Sequence, residues 1–308
     1  MFGSTLLAVS RRPHVRHLVT TAPVTRRLVD RFVAGDDLAS ALAATTELAA
    51  KGLLITLDHL GEDTLDAAQA AACRDAYVDL LDGLASRGLA GSAEVSIKLS
   101  ALGRALPRDG AAIARDNAAA ICAAAARAGT TATIDMEEHT GVDSTLAVVT
   151  ELRAEYPWLG AVLQSALRRT ESDCADLARP GSRVRLVKGA YAEPASVAFS
   201  AKADVDESYV RCLGVLLAGP GYPMVATHDA AMIDAARALV AEHGRTPDDH
   251  EFQMLYGIRV AEQERIAASG SQMRVYLPYG ADWYGYFMRR LAERPANLAF
   301  FARSLFSR

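Results

Sequence analysis

A chain of 308 residues that is 51% hydrophobic and carries a formal charge of −4 can build one large core, and it lacks the basic excess of a nucleic-acid-binding protein. It has no apolar run of the roughly 18 residues that a membrane helix needs. Its mildly apolar start, Met1 to Val9, has basic residues after it and not before it, the reverse of a secretory signal. Cys73, Cys122, Cys174 and Cys212 are widely spaced with no CxxC pair, and are expected to be reduced structural thiols and neither a disulfide frame nor a zinc site.

In chain order, residues 1–50 read as a helical extension. Within it Arg11, Arg12, Arg16, Arg26, Arg27 and Arg31 stand against a single acid, Asp30. They are the polar face of a first helix, a transit peptide or a membrane-surface contact. Short apolar, β-branched runs bounded by turn residues follow eight times, and each is expected to be a strand. They are Leu53–Leu60, Ala93–Ser100, Thr131–Glu138, Ala161–Leu167, Val184–Ala190, Pro223–Asp229, His250–Gly257 and Met273–Gly280. Between them, Thr64–Arg87, Arg108–Gly129, Ser144–Tyr156 and Ala230–Gly244 have helical spacing. Gly88, Gly129 and Gly244 stand where helix C-caps belong. Strand and helix alternating eight times predict an α/β fold, a (β/α)8 barrel of one domain over residues 53–300 with the extension before it. An open doubly wound sheet is the alternative, weakened by the lack of GxGxxG after any strand.

Function in such a barrel gathers at the C-terminal ends of the strands. Here these ends carry polar residues inside apolar runs: Lys98, then Asp135 with Glu137 and Glu138, then Gln164, then Arg185 and Lys188 with Gly189 and Tyr191. Thr227, His228 and Asp229 follow, then Gln253, then Tyr276. Singly, each has a plain structural role, such as a snorkelling lysine, a solvated acidic turn or a loop hydrogen bond. Together they mark a site. Lys98, Arg185 and Lys188 give one mouth a positive sign with Asp135 as counter-charge, and Arg289 and Arg290 follow near the end, with Glu293 about one turn on. Guanidinium forks suit a carboxylate, so an anionic small substrate is expected. There is no HxH on a strand and no HExxH, so metal catalysis fits poorly. A Schiff-base lyase using Lys98 or Lys188 and a non-catalytic binding barrel remain as rival readings.

Several segments resemble a known family. SIKLSALG (96–103), IDMEEHT (134–140), VLQSALRRT (162–170), RLVKGAY (185–191), ATHD (226–229), EFQMLYGIR (251–259) and YLPYGADWYGYFMRRLAE (276–293) are similar to proline dehydrogenase motifs. They run in order from about residue 53 to 300. The resemblance implies a distorted (β/α)8 barrel with non-covalent FAD and oxidation of L-proline to Δ1-pyrroline-5-carboxylate. It also implies a membrane quinone as electron acceptor, and the absence of an aldehyde-dehydrogenase half implies the monofunctional form. The product would pass to a separate pyrroline-5-carboxylate dehydrogenase. The location implied is cytoplasmic, with transient contact at the inner face of the membrane.

Carried over by position, the resemblance implies that Lys98, Arg289 and Arg290 hold the substrate carboxylate while Leu255 lines the apolar side. Asp135, Arg185 and Tyr276 would be catalytic, with Arg185 near the flavin N5 and Tyr276 over the substrate ring. Met136, Gln164, Lys188, Gly189, Ala190, Thr227 and His228 would contact FAD, and Glu62 would pair with Arg289 as a lid. One departure stands out: the family pattern is closer to LQAYLRRT, whereas Ser165 and Ala166 stand here in place of Ala-Tyr, so an aromatic ring is missing there.

Overall fold

A computed structural model describes residues 26, 29–61 and 64–292. Most of the expected extension, including Arg11, Arg12, Arg16 and Arg27, lies outside these residues, as do Glu62, Glu293 and the stretch 293–300 of the expected barrel.

The described chain begins its regular structure with helix α1 (Leu38–Ala50). Strands and helices then alternate: β1 (Leu54–His59), α2 (Ala67–Ser86), β2 (Ala93–Ile97), α3 (Gly110–Ala128), β3 (Ala132–Ile134), α4 (Val142–Leu152) and β4 (Gly160–Gln164). The second half continues with α5 (Thr170–Leu177), β5 (Arg183–Val187), α6 (Lys202–Ala218), β6 (Tyr222–Ala226), α7 (Ala230–Glu242), β7 (Glu251–Leu255), α8 (Val260–Ala268), β8 (Met273–Tyr279) and α9 (Trp283–Ala292). The eight strands pair in sequence order and in parallel, and β1 meets β8 to close the barrel. This is a (β/α)8 barrel, and every expected strand is present. Two boundaries differ. β3 is three residues long, so Asp135 lies just beyond it, its amide tied to the Ile97 carbonyl at 2.9 Å. α4 begins two residues earlier than Ser144 and gives way to turns before Tyr156.

Each strand alternates between two buried environments. Ile55 and Leu57, Val95 and Ile97, Val184 and Leu186, and Val275 and Leu277 face the helices and are essentially inaccessible. The intervening residues point into the barrel, and many are polar. Thr56, Glu94, Ser96, Arg185, Glu251, Gln253 and Arg274 are all buried there. Burying charge is tolerable only where it is paired. Glu94 takes Arg183 at 2.7 Å, Arg185 at 3.5 Å and a hydrogen bond from Thr56 at 2.9 Å. Arg274 bridges to Glu251 at 2.7 Å. A ladder of ion pairs thus fills the barrel where apolar side chains usually stack.

The helix layer is alanine-rich. Ala114, Ala118, Ala124 and Ala125 of α3 are buried, and the small side chains let this helix lie close against Leu80, Leu81 and Leu84 of α2. Caps fix several helix starts: Asp37 accepts from Ser40 N, Asp66 from Gln69 N and Asp229 from Ala231 N, satisfying amides that the helix itself leaves open. Gly88, Gly129 and Gly244 have φ of 69°, 75° and 62° at the ends of α2, α3 and α7, the left-handed conformation that favours glycine there. The four cysteines are free, and burial pushes the Cys73 thiol up to about 11 and Cys122 to about 12, so both stay protonated. Among the described residues no helix is long and apolar enough to cross a membrane.

Candidate active site

The inward positions at the C-terminal strand ends open into a cavity of about 470 Å³. It is lined by all the residues assigned to substrate or cofactor above, apart from Glu62. Lys98 comes from the end of β2, Asp135 and Met136 from the end of β3, Gln164 from β4 and Arg185, Lys188, Gly189 and Ala190 from β5 and its loop. Thr227 and His228 follow β6, Leu255 ends β7, Tyr276 belongs to β8, and Arg289 and Arg290 reach over from α9. Glu137 turns away: its carboxylate takes Ser100 N at 3.1 Å and Arg104 at 3.2 Å, fastening the loop after β2.

The floor is a tight cluster. Lys98 Nζ lies 2.8 Å from both carboxylate oxygens of Asp58, 3.2 Å from Asp135 Oδ2 and 3.2 Å from Tyr276 Oη. Tyr276 donates to Asp135 Oδ2 at 2.6 Å. Arg185 donates to Asp135 Oδ1 at 2.8 Å and to Ser96 Oγ at 2.9 Å, and Ser96 donates to Asp135 Oδ1 at 2.8 Å. Burial alone raises the Asp135 carboxyl, but Lys98, Arg185 and the hydroxyls of Tyr276 and Ser96 outweigh it and hold it below the usual range. Burial also works against the Lys98 ammonium, yet Asp58 and Asp135 lift its pKa well above the ordinary value. Lys98 is therefore a locked cation and a poor amine nucleophile, which counts against the Schiff-base reading. Burial and the neighbouring carboxylates keep Tyr276 a neutral phenol.

Lys188 sits at the rim between Asp206 and Asp229, 2.8 Å from the latter. Asp229 accepts Lys202 at 3.0 Å as well and caps α7, so this lysine too is engaged by carboxylates. His228 Nε2 accepts from Leu255 N at 2.9 Å, which leaves the ring proton on Nδ1. Gln164 Nε2 donates to the Glu137 carbonyl at 2.8 Å. Gly189 has φ of 110°, and a Cβ there would come within 3.1 Å of Gln164 Oε1 and 3.4 Å of Ala166. The Ala166 departure therefore falls on the wall that holds Gly189.

Sequence reading missed Asp58 and Tyr286 as lining residues. The signal for Asp58 was present: a lone carboxylate inside LITLDH, on the same alternation as Thr56. Tyr286 lies one turn before Arg290, whose guanidinium stands 5.2 Å from the tyrosine ring centroid.

Five cationic groups (Lys98, Arg185, Lys188, Arg289 and Arg290) and three carboxylates (Asp58, Asp135 and Asp229) line the cavity, a surplus of two positive charges. The β3-to-β6 wall is mostly apolar or small, with Met136, Val162, Val187, Gly189 and Ala226 interrupted by Gln164 and Thr227. One side of the cavity thus suits a flat, largely apolar group, and the other a small anion.

The family model described as proline dehydrogenase matches residues 41–303. Proline dehydrogenase of Deinococcus radiodurans is 41% identical over 309 residues, covering 99% of this chain and 98% of its own. Proline dehydrogenase 2 of Bacillus subtilis is 41% identical and covers 88% of each chain. Among solved structures, proline utilization A (PutA) from Bdellovibrio bacteriovorus, inactivated by N-propargylglycine, aligns with a TM-score of 0.79 and 26% identity over 87% of this chain. This chain spans 33% of that longer protein, and its length matches the D. radiodurans enzyme instead. With a family model over most of its length and relatives of the same size at 41% identity, this chain belongs to the proline dehydrogenase family.

Proposed function

We propose that this oxidoreductase oxidises L-proline to Δ1-pyrroline-5-carboxylate with non-covalently bound FAD, and passes the electrons to a membrane quinone. The observation that carries the reading is the polarity of the cavity: a surplus of cations with two arginines on α9, opposite a wall of small and apolar residues. The residues fit a flavin. Met136, Val162 and Val187 offer an apolar face, Gly189 keeps the wall flat, and Gln164, Thr227 and His228 offer polar contacts at its edge. Arg185 Nε is buried without a hydrogen-bond partner among the described residues, a donor matched to a flavin ring nitrogen. When bound, FAD supplies the hydride acceptor, and that chemistry belongs to the cofactor.

The protein's own contribution is positioning and electrostatics. Arg289 and Arg290 hold the substrate carboxylate, with Lys98 adding positive charge from the floor. Leu255 and Tyr276 bound the ring. Asp135 does not act alone: by taking Lys98, Arg185, Tyr276 and Ser96 together it fixes three of these groups at once. That arrangement keeps Arg185 charged beside the flavin, where negative charge grows on reduction.

A secondary-amine amino acid, N-propargylglycine, inactivates the B. bacteriovorus protein, which supports a secondary amine as substrate here. Product release to a separate pyrroline-5-carboxylate dehydrogenase and peripheral membrane contact complete the proposal. The test is the absorbance spectrum from about 300 to about 550 nm before and after anaerobic L-proline. A flavin band bleached by proline supports cofactor and substrate together. A band that proline leaves untouched, or no band after FAD is added, overturns the reading.

A further inference from the structure

We infer that Asp58 is the base that takes the proton from the substrate's ring nitrogen. The inference rests on the reading of the cavity as a site for a cyclic secondary-amine amino acid.

Such a substrate enters as a zwitterion, a carboxylate at one end and a secondary ammonium at the other. With the carboxylate at Arg289 and Arg290, the ammonium is drawn to a carboxylate of the cavity. Three are present, and two are committed. Asp229 caps α7 and accepts both Lys188 and Lys202. Asp135 accepts from Ser96, Arg185 and Tyr276 at 2.6–2.8 Å, with Lys98 3.2 Å away. A carboxylate has about four lone-pair sites, so Asp135 is full. Asp58 has one close donor, Lys98, at 2.8 Å from each oxygen. Tyr77 Oη is 3.4 Å from it and donates at 2.7 Å to the Ser96 carbonyl instead. Asp58 lines the cavity, yet its side chain is 3% exposed, so water is a poor competitor for its remaining capacity.

The groups facing Asp58 come from every neighbour: Lys98 on β2, Asp135 on β3 with Arg185 of β5 behind it, Tyr276 and Tyr279 on β8, and Tyr77 and Cys73 on α2. Adjacent His59 shares its strand. Burial and the like charge of Asp135 raise the Asp58 carboxyl against the pull of Lys98, while Asp135 is lowered. Two neighbouring carboxyls pushed apart in this way divide the roles of base and fixed anion. In the step, one N–H bond of the ring ammonium breaks, its electron pair stays on nitrogen, and an O–H bond forms on Asp58. The pair left on nitrogen is what the oxidation at the adjacent carbon requires.

The experiment compares wild type with Asp58→Asn and Asp58→Glu, reading anaerobic flavin bleaching by L-proline from about pH 6 to about pH 10, the last near the pKa of a free alkyl amine. Binding of tetrahydrofuran-2-carboxylate, which keeps the ring and carboxylate but has no amine, is measured in parallel. At about pH 7 the Asn variant should be slower by on the order of 100-fold, the usual worth of a general base. The deficit should shrink as pH rises and the substrate supplies its own free amine. Affinity for the oxygen-ring analogue should stay within about 2-fold, because no proton is involved. Asp58→Glu should recover most of the neutral-pH rate, with its acid limb displaced. A deficit constant over pH, or equal loss of analogue binding, would show that Asp58 only shapes the pocket. If the Asn variant does not fold, the Glu variant decides alone, since an acid limb unmoved by that substitution belongs to another group. Wild type that proline fails to bleach would overturn the reading of the site, a result distinct from any of these.

Discussion

Adjacent arginines on a helix point about 100° apart, so Arg289 and Arg290 reach one ligand only if it lies over the seam between them. Both line the cavity. Replacing either by alanine should lower kcat/KM for proline by about 2–4 kcal/mol, with KM rising most, as expected for a lost charge-assisted bidentate contact. Steady-state kinetics check this, and an unchanged kcat/KM in both variants would remove the carboxylate clamp. Asp135 carries a pH signature in stability. Its folded carboxyl lies below the ordinary value, so its contribution is present above the unfolded pKa of about 3.9 and is lost as pH falls through the folded one. Asp58 has the opposite sign: its raised carboxyl contributes below about pH 4 and loses that contribution as pH rises through its folded value. Denaturation across pH should therefore show a shallower acid slope in Asp135→Asn than in wild type.

At the scale of strands and helices, Glu94 on β2 joins β5 to β8. Burial raises its carboxyl, but Arg183, Arg274 and Arg185 overcome this and hold it far below the usual range. Removing one partner of a buried ion network costs about 3–5 kcal/mol, because the others are left unpaired. Glu94→Gln should show a loss of that order in chemical denaturation, together with weaker proline turnover through a displaced Arg185. At the loop after β5, Gly189→Ala should weaken FAD binding measured by titration, since φ of 110° and Gln164 Oε1 at 3.1 Å leave a methyl no relaxed position.

These elements also show how far the sequence can be read. All eight strands were legible because each is a short β-branched run with punctuation on both sides, and Lys98, Asp135, Arg185 and Tyr276 stood out as polar breaks at the strand ends. The partners were not legible. Nothing local pairs Glu94 with arginines 89, 91 and 180 positions later, or Lys98 with Asp58, because those distances are set by barrel closure. Lys188 looked like an open cation in the sequence, and only the packing of α6 and α7 brings Asp206 and Asp229 to it.

For the whole molecule, the proposed cofactor should act as a stabiliser. A ligand that binds only the folded state, at about 100 times its Kd, adds about 2.7 kcal/mol. Adding FAD to flavin-depleted protein should thus raise the thermal midpoint by several degrees. A midpoint independent of FAD would contradict its place in the cavity.

The seam between β1 and β8 registers Leu54 with Arg274 through to His59 with Tyr279, so 225 residues separate Leu54 from Tyr279. On a ribosome working at about 5–20 residues per second, β1 emerges roughly 10–45 s before its second neighbour exists. Throughout that interval a strand edge stands open, the kind that recruits other chains. α1 precedes β1 and packs on both β1 and β8, so the nascent chain carries a cover for that edge before its permanent partner is made. Barrel strand, substrate floor and the arginines of α9 then come together only near the end of translation, and a prematurely terminated chain should be inert toward proline.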